Sequence, residues 1–249
     1  MKPVPRILVV DPDEEEKDLV AATGKFLGAD VAWCKGSEDA FREIADRGCD
    51  AILLDILLDD SSGYELCRAL KSDADTADVP ILFATARHRA EDVLDGFQSL
   101  AFDFLVKPYR PRELRARLHN ALRLKSLLDE MKTRARFSER VLRLGRVLDE
   151  ARDVAEAEPA IARELVEVAD TFHAEGVAVE AGGRTLFSVG RSGGPVAAEM
   201  PFHHSGIEGV LRLWRRGTAD PEERVRLADL CAILARGISH FGTSFSPSR

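Results

Sequence analysis

Five polar residues stand where short apolar runs stop. Asp11 follows Ile7-Leu8-Val9-Val10, with Asp13 two positions further on. Asp55 follows Ala51-Ile52-Leu53-Leu54, Thr85 closes Ile81-Leu82-Phe83-Ala84, and Lys107 follows Asp103-Phe104-Leu105-Val106. Three carboxylates crowded together repel one another unless protons or a cation neutralise them. A hard divalent ion such as Mg²⁺ accepts one or two carboxylates and completes its shell with waters and phosphate oxygens. A carboxylate is also a nucleophile that can form an aspartyl-phosphate. An ammonium and a hydroxyl beside it would stabilise the incoming phosphoryl group. Taken singly, each residue is an ordinary solvated strand end. Together, the set suits phosphoryl transfer onto Asp55.

The elements that must position this set follow from the spacing. Apolar strands at 6–10, 30–34, 51–54, 79–84 and 103–106 alternate with helical patterns over Glu14–Leu27, from Ser37, over Tyr64–Lys71 and over Ala90–Ser99. Regular β–α alternation predicts an α/β fold, a doubly wound five-stranded parallel sheet with helices on both faces. Strands one, three and four read as continuous apolar runs, as strands buried on both faces should. Ligands in such sheets gather at the carboxyl ends of the strands. That is where all five residues fall.

With those residues in place, 5–125 resembles the response-regulator receiver domain of two-component signalling. The resemblance rests on Ile-Leu-Val-Val-Asp11, Ile-Leu-Leu-Asp55 with Gly63 after a short loop, Ile-Leu-Phe-Ala-Thr85-Ala86, and Asp103-Phe104-Leu105-Val106-Lys107-Pro108-Tyr109. It implies a flavodoxin-like receiver with Asp55 as phosphoacceptor, Thr85 as switch hydroxyl, Lys107 as phosphate-pairing base and Phe104 as the aromatic that moves with Thr85. It further implies Mg²⁺ held by Asp11, Asp13, Asp55 and the Leu57 carbonyl, a cis Lys107-Pro108 bond, and a histidine kinase or phosphotransfer protein as partner. The sequence departs from the family where Pro12 takes the place of a second acid, so that Asp13 must swing in or Asp11, Asp55 and Leu57 must serve alone. Asp59, Ser62 and Leu100 are further departures.

Beyond this module the charge changes sign. Residues 1–109 carry 12 bases against 23 acids, 110–146 carry 12 against 4, and 147–249 carry 11 against 16, for a net −8. The basic stretch opens at Pro111, a favoured first helical position. Leu124, Leu128, Met131, Ala135, Ser138 and Leu142 step by four and three, and Val141, Leu144, Leu148, Ala151 and Ala155 form a second register. Such steps predict a coiled coil with a register change, ended or kinked at Pro159. We therefore divide the chain into a receiver at 1–124, a coiled-coil linker helix at 125–156 that pairs with a second copy, an α+β domain at 157–241 and a tail at 242–249. Nucleic-acid binding by the basic helix is a second reading, though no helix-turn-helix pattern follows.

The last module reads as a helix at 160–172, strands at 176–180 and 185–189 about Gly182-Gly183, strands at 199–204 and 209–215, and a closing helix from Asp220-Pro221. Its order resembles a shortened GAF domain, carried by Gly-Val-Leu-Arg-Leu-Trp214 and Asp220-Pro221-Glu222-Glu223, and implies a protein-binding output. His203 and His204 point to opposite faces of a strand and cannot share one metal. Gly190–Gly194 lacks the Lys-Ser/Thr ending of a phosphate loop, and no Gly-x-Ser-x-Gly elbow surrounds a serine. Four scattered cysteines show no zinc or redox spacing, and no apolar run reaches the ~20 residues of a membrane span. We expect no signal peptide, a cytoplasmic location and no enzyme activity beyond self-phosphorylation and autodephosphorylation. The expected function is phosphate acceptance at Asp55 relayed to a protein-binding output, with a phosphorylation-independent scaffold as the alternative.

Overall fold

The computed structural model describes residues 4–86, 101–150, 154–181, 184–191, 193–204 and 207–240. The expected helix at 90–99, the Gly182-Gly183 turn and the tail lie outside them. Two compact units divide between Lys132 and Thr133.

The first unit contains β1 (Arg6–Val10), α1 (Lys17–Leu27), β2 (Asp30–Cys34), α2 (Ser37–Arg47), β3 (Ala51–Leu54), α3 (Gly63–Ser72), β4 (Ile81–Thr85) and β5 (Asp103–Val106), followed by the start of α4 (Pro111–Glu150). The strands are all parallel in the order β2-β1-β3-β4-β5. Successive side chains of a strand point to opposite faces, and the two faces bury different partners. Ile7, Val9, Leu53, Leu82 and Leu105 pack with Val20 of α1 and with Leu114, Leu118 and Ala121 of α4. Leu8, Val10, Ile52, Leu54 and Phe83 pack with Ala40 of α2 and with Leu66, Cys67 and Leu70 of α3. The doubly wound sheet is thus the predicted one. Helix α1 starts at Lys17, three residues after the sequence reading, because residues 13–17 close turns instead. The Asp13 carboxylate accepts the Glu15 N–H at 2.9 Å, and the Lys17 N–H reaches the Glu14 carbonyl at 3.1 Å.

The second unit holds the rest of α4, then α5 (Val154–Thr171), β6 (Gly176–Ala181), β7 (Arg184–Gly190), β8 (Val196–His204), β9 (Ile207–Trp214) and α6 (Pro221–His240). Its four strands form an antiparallel sheet in the order β7-β6-β9-β8. Asp220 and Glu223 cap α6 reciprocally, the Glu223 N–H donating to Asp220 Oδ1 at 2.8 Å and the Asp220 N–H to Glu223 Oε2 at 2.9 Å. Pro159 does not end a helix: α5 runs through it.

The two apolar registers of α4 have different fates. Val141, Leu144 and Leu148, together with Phe137, are buried in the second unit's own core with Ile161, Leu165 and Leu234. This register therefore faces neighbouring helices of the same chain and not a second copy. A Cβ on Gly237 would meet Leu148 at 2.6 Å, so α6 approaches α4 where only glycine fits. Met131 and Leu142, by contrast, are 68% and 65% exposed. Leu148→Ala should destabilise the second unit by about 3 kcal/mol, read by the fluorescence of Trp214 during urea unfolding. Met131→Ala should leave that transition where it is.

Candidate functional site

The order β2-β1-β3 reverses direction of winding at β1, and the carboxyl ends of β1 and β3 flank that switch point. Asp11 directly follows β1 and Asp55 directly follows β3. They are registered by backbone bonds from the Asp11 N–H to the Cys34 carbonyl and from the Asp55 N–H to the Val10 carbonyl, both 2.9 Å. Lys107 follows β5, where the Lys107-Pro108 bond is cis. Its ammonium donates to Asp11 Oδ2 and, at 2.7 Å, to Asp55 Oδ2. Residues 96 and 52 positions apart thus share one cation.

The other oxygens of the two carboxylates are held by the backbone. Asp11 Oδ1 accepts the Asp13 N–H at 3.0 Å and Asp55 Oδ1 accepts the Leu57 N–H at 3.1 Å. The Trp33 indole donates to the Asp11 carbonyl at 2.9 Å. Asp11 is only 2% exposed, and burial raises its carboxyl above the usual range although Lys107 pulls in the other direction. Burial alone would lower the Lys107 ammonium, but its hydrogen bonds to Asp11 and Asp55 outweigh that and leave it raised. Tyr109, two residues on, is buried with no hydrogen-bond partner for its hydroxyl among the described residues.

The structure brings Asp11, Asp55 and Lys107 together and leaves Asp13 outside. Asp13 is exposed, and its carboxylate is spent on the Glu15 N–H. Thr85 ends β4 opposite Val106 in register; its side chain lies outside the described residues. Phe104 is half-buried, with its ring centroid 5.5 Å from that of Phe83. Among the described residues no three His, Cys, Asp or Glu side chains converge on a possible metal position. The carboxylates of Asp11 and Asp55, brought together on Lys107, are nevertheless hard oxygen donors, which fit Mg²⁺ better than any ion preferring nitrogen or sulfur.

Sequence reasoning missed how the loop from Asp55 to α3 is fixed. The Ser62 hydroxyl accepts the Tyr64 N–H at 3.3 Å while Glu65 Oε2 accepts the Ser62 N–H at 3.3 Å, and a Ser-x-x-Glu spacing signalled this box. Asp60 accepts two N–H groups of α2, for which no local spacing gives a signal.

Comparison with known proteins places this arrangement. Residues 7–119 match the response regulator receiver domain family model. The chain is 38% identical over 117 residues to the phosphate regulon transcriptional regulatory protein PhoB of Pseudomonas aeruginosa, covering 47% of this chain and 51% of that protein. It is 35% identical over 120 residues to the DNA-binding dual master transcriptional regulator RpaA of Synechocystis sp., covering 48% and 50%. Among solved structures, the BeF3-activated receiver domain of DrrB from Thermotoga maritima is 29% identical over 49% of this chain and 99% of that one, with a TM-score of 0.44. The chain spans about half the length of the two regulators it matches. With the family match lying over the rim that joins Asp11, Asp55 and Lys107, the N-terminal half of this chain is a response regulator receiver domain of two-component signalling.

Proposed function

We propose that the chain is a phosphorylation-dependent switch in which Asp55 accepts phosphate from a histidine kinase or phosphotransfer protein. The observation that carries this reading is the single ammonium of Lys107 shared between Asp11 and Asp55 at the switch point of the sheet. Asp55 is the better nucleophile of the two. Its side chain is 14% exposed against 3% for Asp11. A carboxylate oxygen of Asp55 attacks phosphorus, and the bond to the donor's leaving group breaks with its electron pair going to that group. Lys107 keeps its proton and pairs with a phosphoryl oxygen as charge builds there. The Leu57 N–H, already beside Asp55, is a second donor, and the resemblance assigns the role of a third to the Thr85 hydroxyl. Mg²⁺ would be held by Asp11, Asp55 and the Leu57 carbonyl, where it supplies positive charge to the phosphoryl oxygens. The position of Asp13 supports a site that works without it.

The second unit, with helices about an antiparallel sheet, is read as a GAF-like interaction domain that takes the signal to another protein. Exposed Met131, with half-buried Leu124 and Leu128, gives the first unit's part of α4 an apolar stripe that suits pairing with a second copy. Binding of DNA, as named for RpaA, is less well supported here. Arg117, Lys125, Lys132, Arg134 and Arg140 are each paired with a carboxylate of the same chain, which leaves less of the basic charge for phosphates.

Incubation with acetyl phosphate and Mg²⁺, followed by intact mass, should show one added phosphate that disappears in Asp55→Asn. No addition to the wild-type chain, or an addition kept by Asp55→Asn, would sink the reading and favour a phosphorylation-independent scaffold.

A further inference from the structure

The loop between β3 and α3 is fastened to a helix that the phosphoryl chemistry does not touch. Asp60 Oδ1 accepts the Ser37 N–H at 2.9 Å, and Oδ2 accepts the Glu38 N–H at 3.0 Å. These are orphan donors of the first turn of α2, which a helix must satisfy from outside itself. The residue before α2 is Gly36, which has no side-chain acceptor. Asp60, more than twenty positions away, does the capping instead. The contact is close: a Cβ on Gly36 would meet the Asp60 carboxylate at 2.7 Å. The Ser61 hydroxyl adds a bond to the Ser37 hydroxyl at 3.0 Å. The two amide bonds, Glu38 first and Ser37 second, hold the Asp60 carboxyl down at about 2, so the clamp is charged throughout the neutral range.

The same loop carries the functional groups. It is closed by the Leu58 N–H on the Ser61 carbonyl at 3.3 Å and by a bridge between Leu57 and Ser62. Its exit is pinned to α3 by Ser62 and Glu65. Asp55 and Leu57 therefore lie between strand β3 and two anchors, one on α3 and one on α2. We infer that Asp60 is a positioning residue, which holds the Asp55–Leu57 segment in place by clamping its loop onto the start of α2. Its effect on phosphate uptake rests on the reading of Asp55 as acceptor; its effect on the loop does not.

The test uses the full chain and compares wild type with Asp60→Ala, Asp60→Asn and Thr76→Val. The last loses a buried hydroxyl bond to the Leu70 carbonyl beyond the far end of α3 from this loop, and so reports lost stability alone. Asp60→Ala should speed hydrogen exchange at the Leu57 and Leu58 amides about fivefold relative to the strand amides of Ile52 and Leu53, as loss of a helix cap predicts. It should weaken Mg²⁺ binding, titrated through Trp33 fluorescence, about tenfold, as loss of an outer-shell partner does. Asp60→Asn keeps one acceptor oxygen and should fall between, and Thr76→Val should move neither value. A lower melting temperature in Asp60→Ala, with both values unchanged, would reduce Asp60 to a helix cap and overturn the inference. If the wild-type chain takes up neither phosphate nor Mg²⁺, the acceptor reading fails, and the exchange rates alone decide the positioning role.

Discussion

Lys107→Met should destabilise the receiver unit by about 3 kcal/mol at neutral pH, because it leaves two carboxylates facing each other without their cation. Asp11 is nearly inaccessible and its carboxyl is already raised with Lys107 in place. Without the ammonium it rises further. An acid whose folded pKa lies above its unfolded value loses stability as pH climbs through that window. The deficit of Lys107→Met should therefore be full at neutral pH and shrink as the pH falls toward the ordinary carboxylate range. At the alkaline end the wild-type chain behaves as a raised lysine requires. The contribution of Lys107 is complete below its ordinary 10.5 and is lost as pH rises through the higher folded value. Urea unfolding of a Trp214→Phe background, in which Trp33 reports alone, measures this at several pH values. A deficit that stays constant with pH would mean the variant loses packing and not a charge partner.

Gly63→Ala carries the second large expected effect, again about 3 kcal/mol. A Cβ there would meet the Asp55 carbonyl oxygen at 2.1 Å, with the Asp55 carbonyl carbon and the Ile56 Cα each at 3.0 Å. All three are backbone atoms, so no side-chain rotation relieves the overlap. The Gly63 N–H also donates to the Ile56 carbonyl at 2.8 Å, which ties the first turn of α3 to the segment after Asp55. The methyl group must push that segment off the rim or tear the turn away. Phosphate uptake should fall together with stability, measured by acetyl phosphate labelling beside the Trp33 transition. A variant that unfolds at the wild-type urea concentration would show that the loop has room to yield.

Much of the receiver was legible because its information is local. Ile7–Val10, Ala51–Leu54 and Ile81–Ala84 are unbroken apolar runs, and parallel strands covered on both faces need such runs. Asp11, Asp55 and Lys107 each terminate a run, so a fixed topology brings them to one rim. Asp13 was not legible. Its choice between the rim and the Glu15 N–H depends on how Pro12 turns the chain. The Asp60 clamp joins two loops that only the folded sheet makes neighbours. For α4 the difficulty was of another kind. Steps of three and four place residues on one stripe whether that stripe meets a second helix of the same chain or of another. Val141, Leu144 and Leu148 turned inward to their own core, while Met131 and Leu142 did not. Of the two outcomes expected at Pro159, an end to the helix is ruled out: proline's cost of about 3 kcal/mol can be offset by the burial of Ala157, Ile161 and Leu165 in the same helix.

Strand β8 is one of the two edge strands of the second sheet and carries Pro201 near its middle. A margin of free amides and carbonyls is a template onto which another molecule's strand can grow, and a residue with no N–H breaks that template. The unit thus keeps a long antiparallel edge while denying it the continuous donor row that fibril growth needs. At high concentration Pro201→Thr, which restores the donor, is the replacement that would invite sheet-to-sheet aggregation.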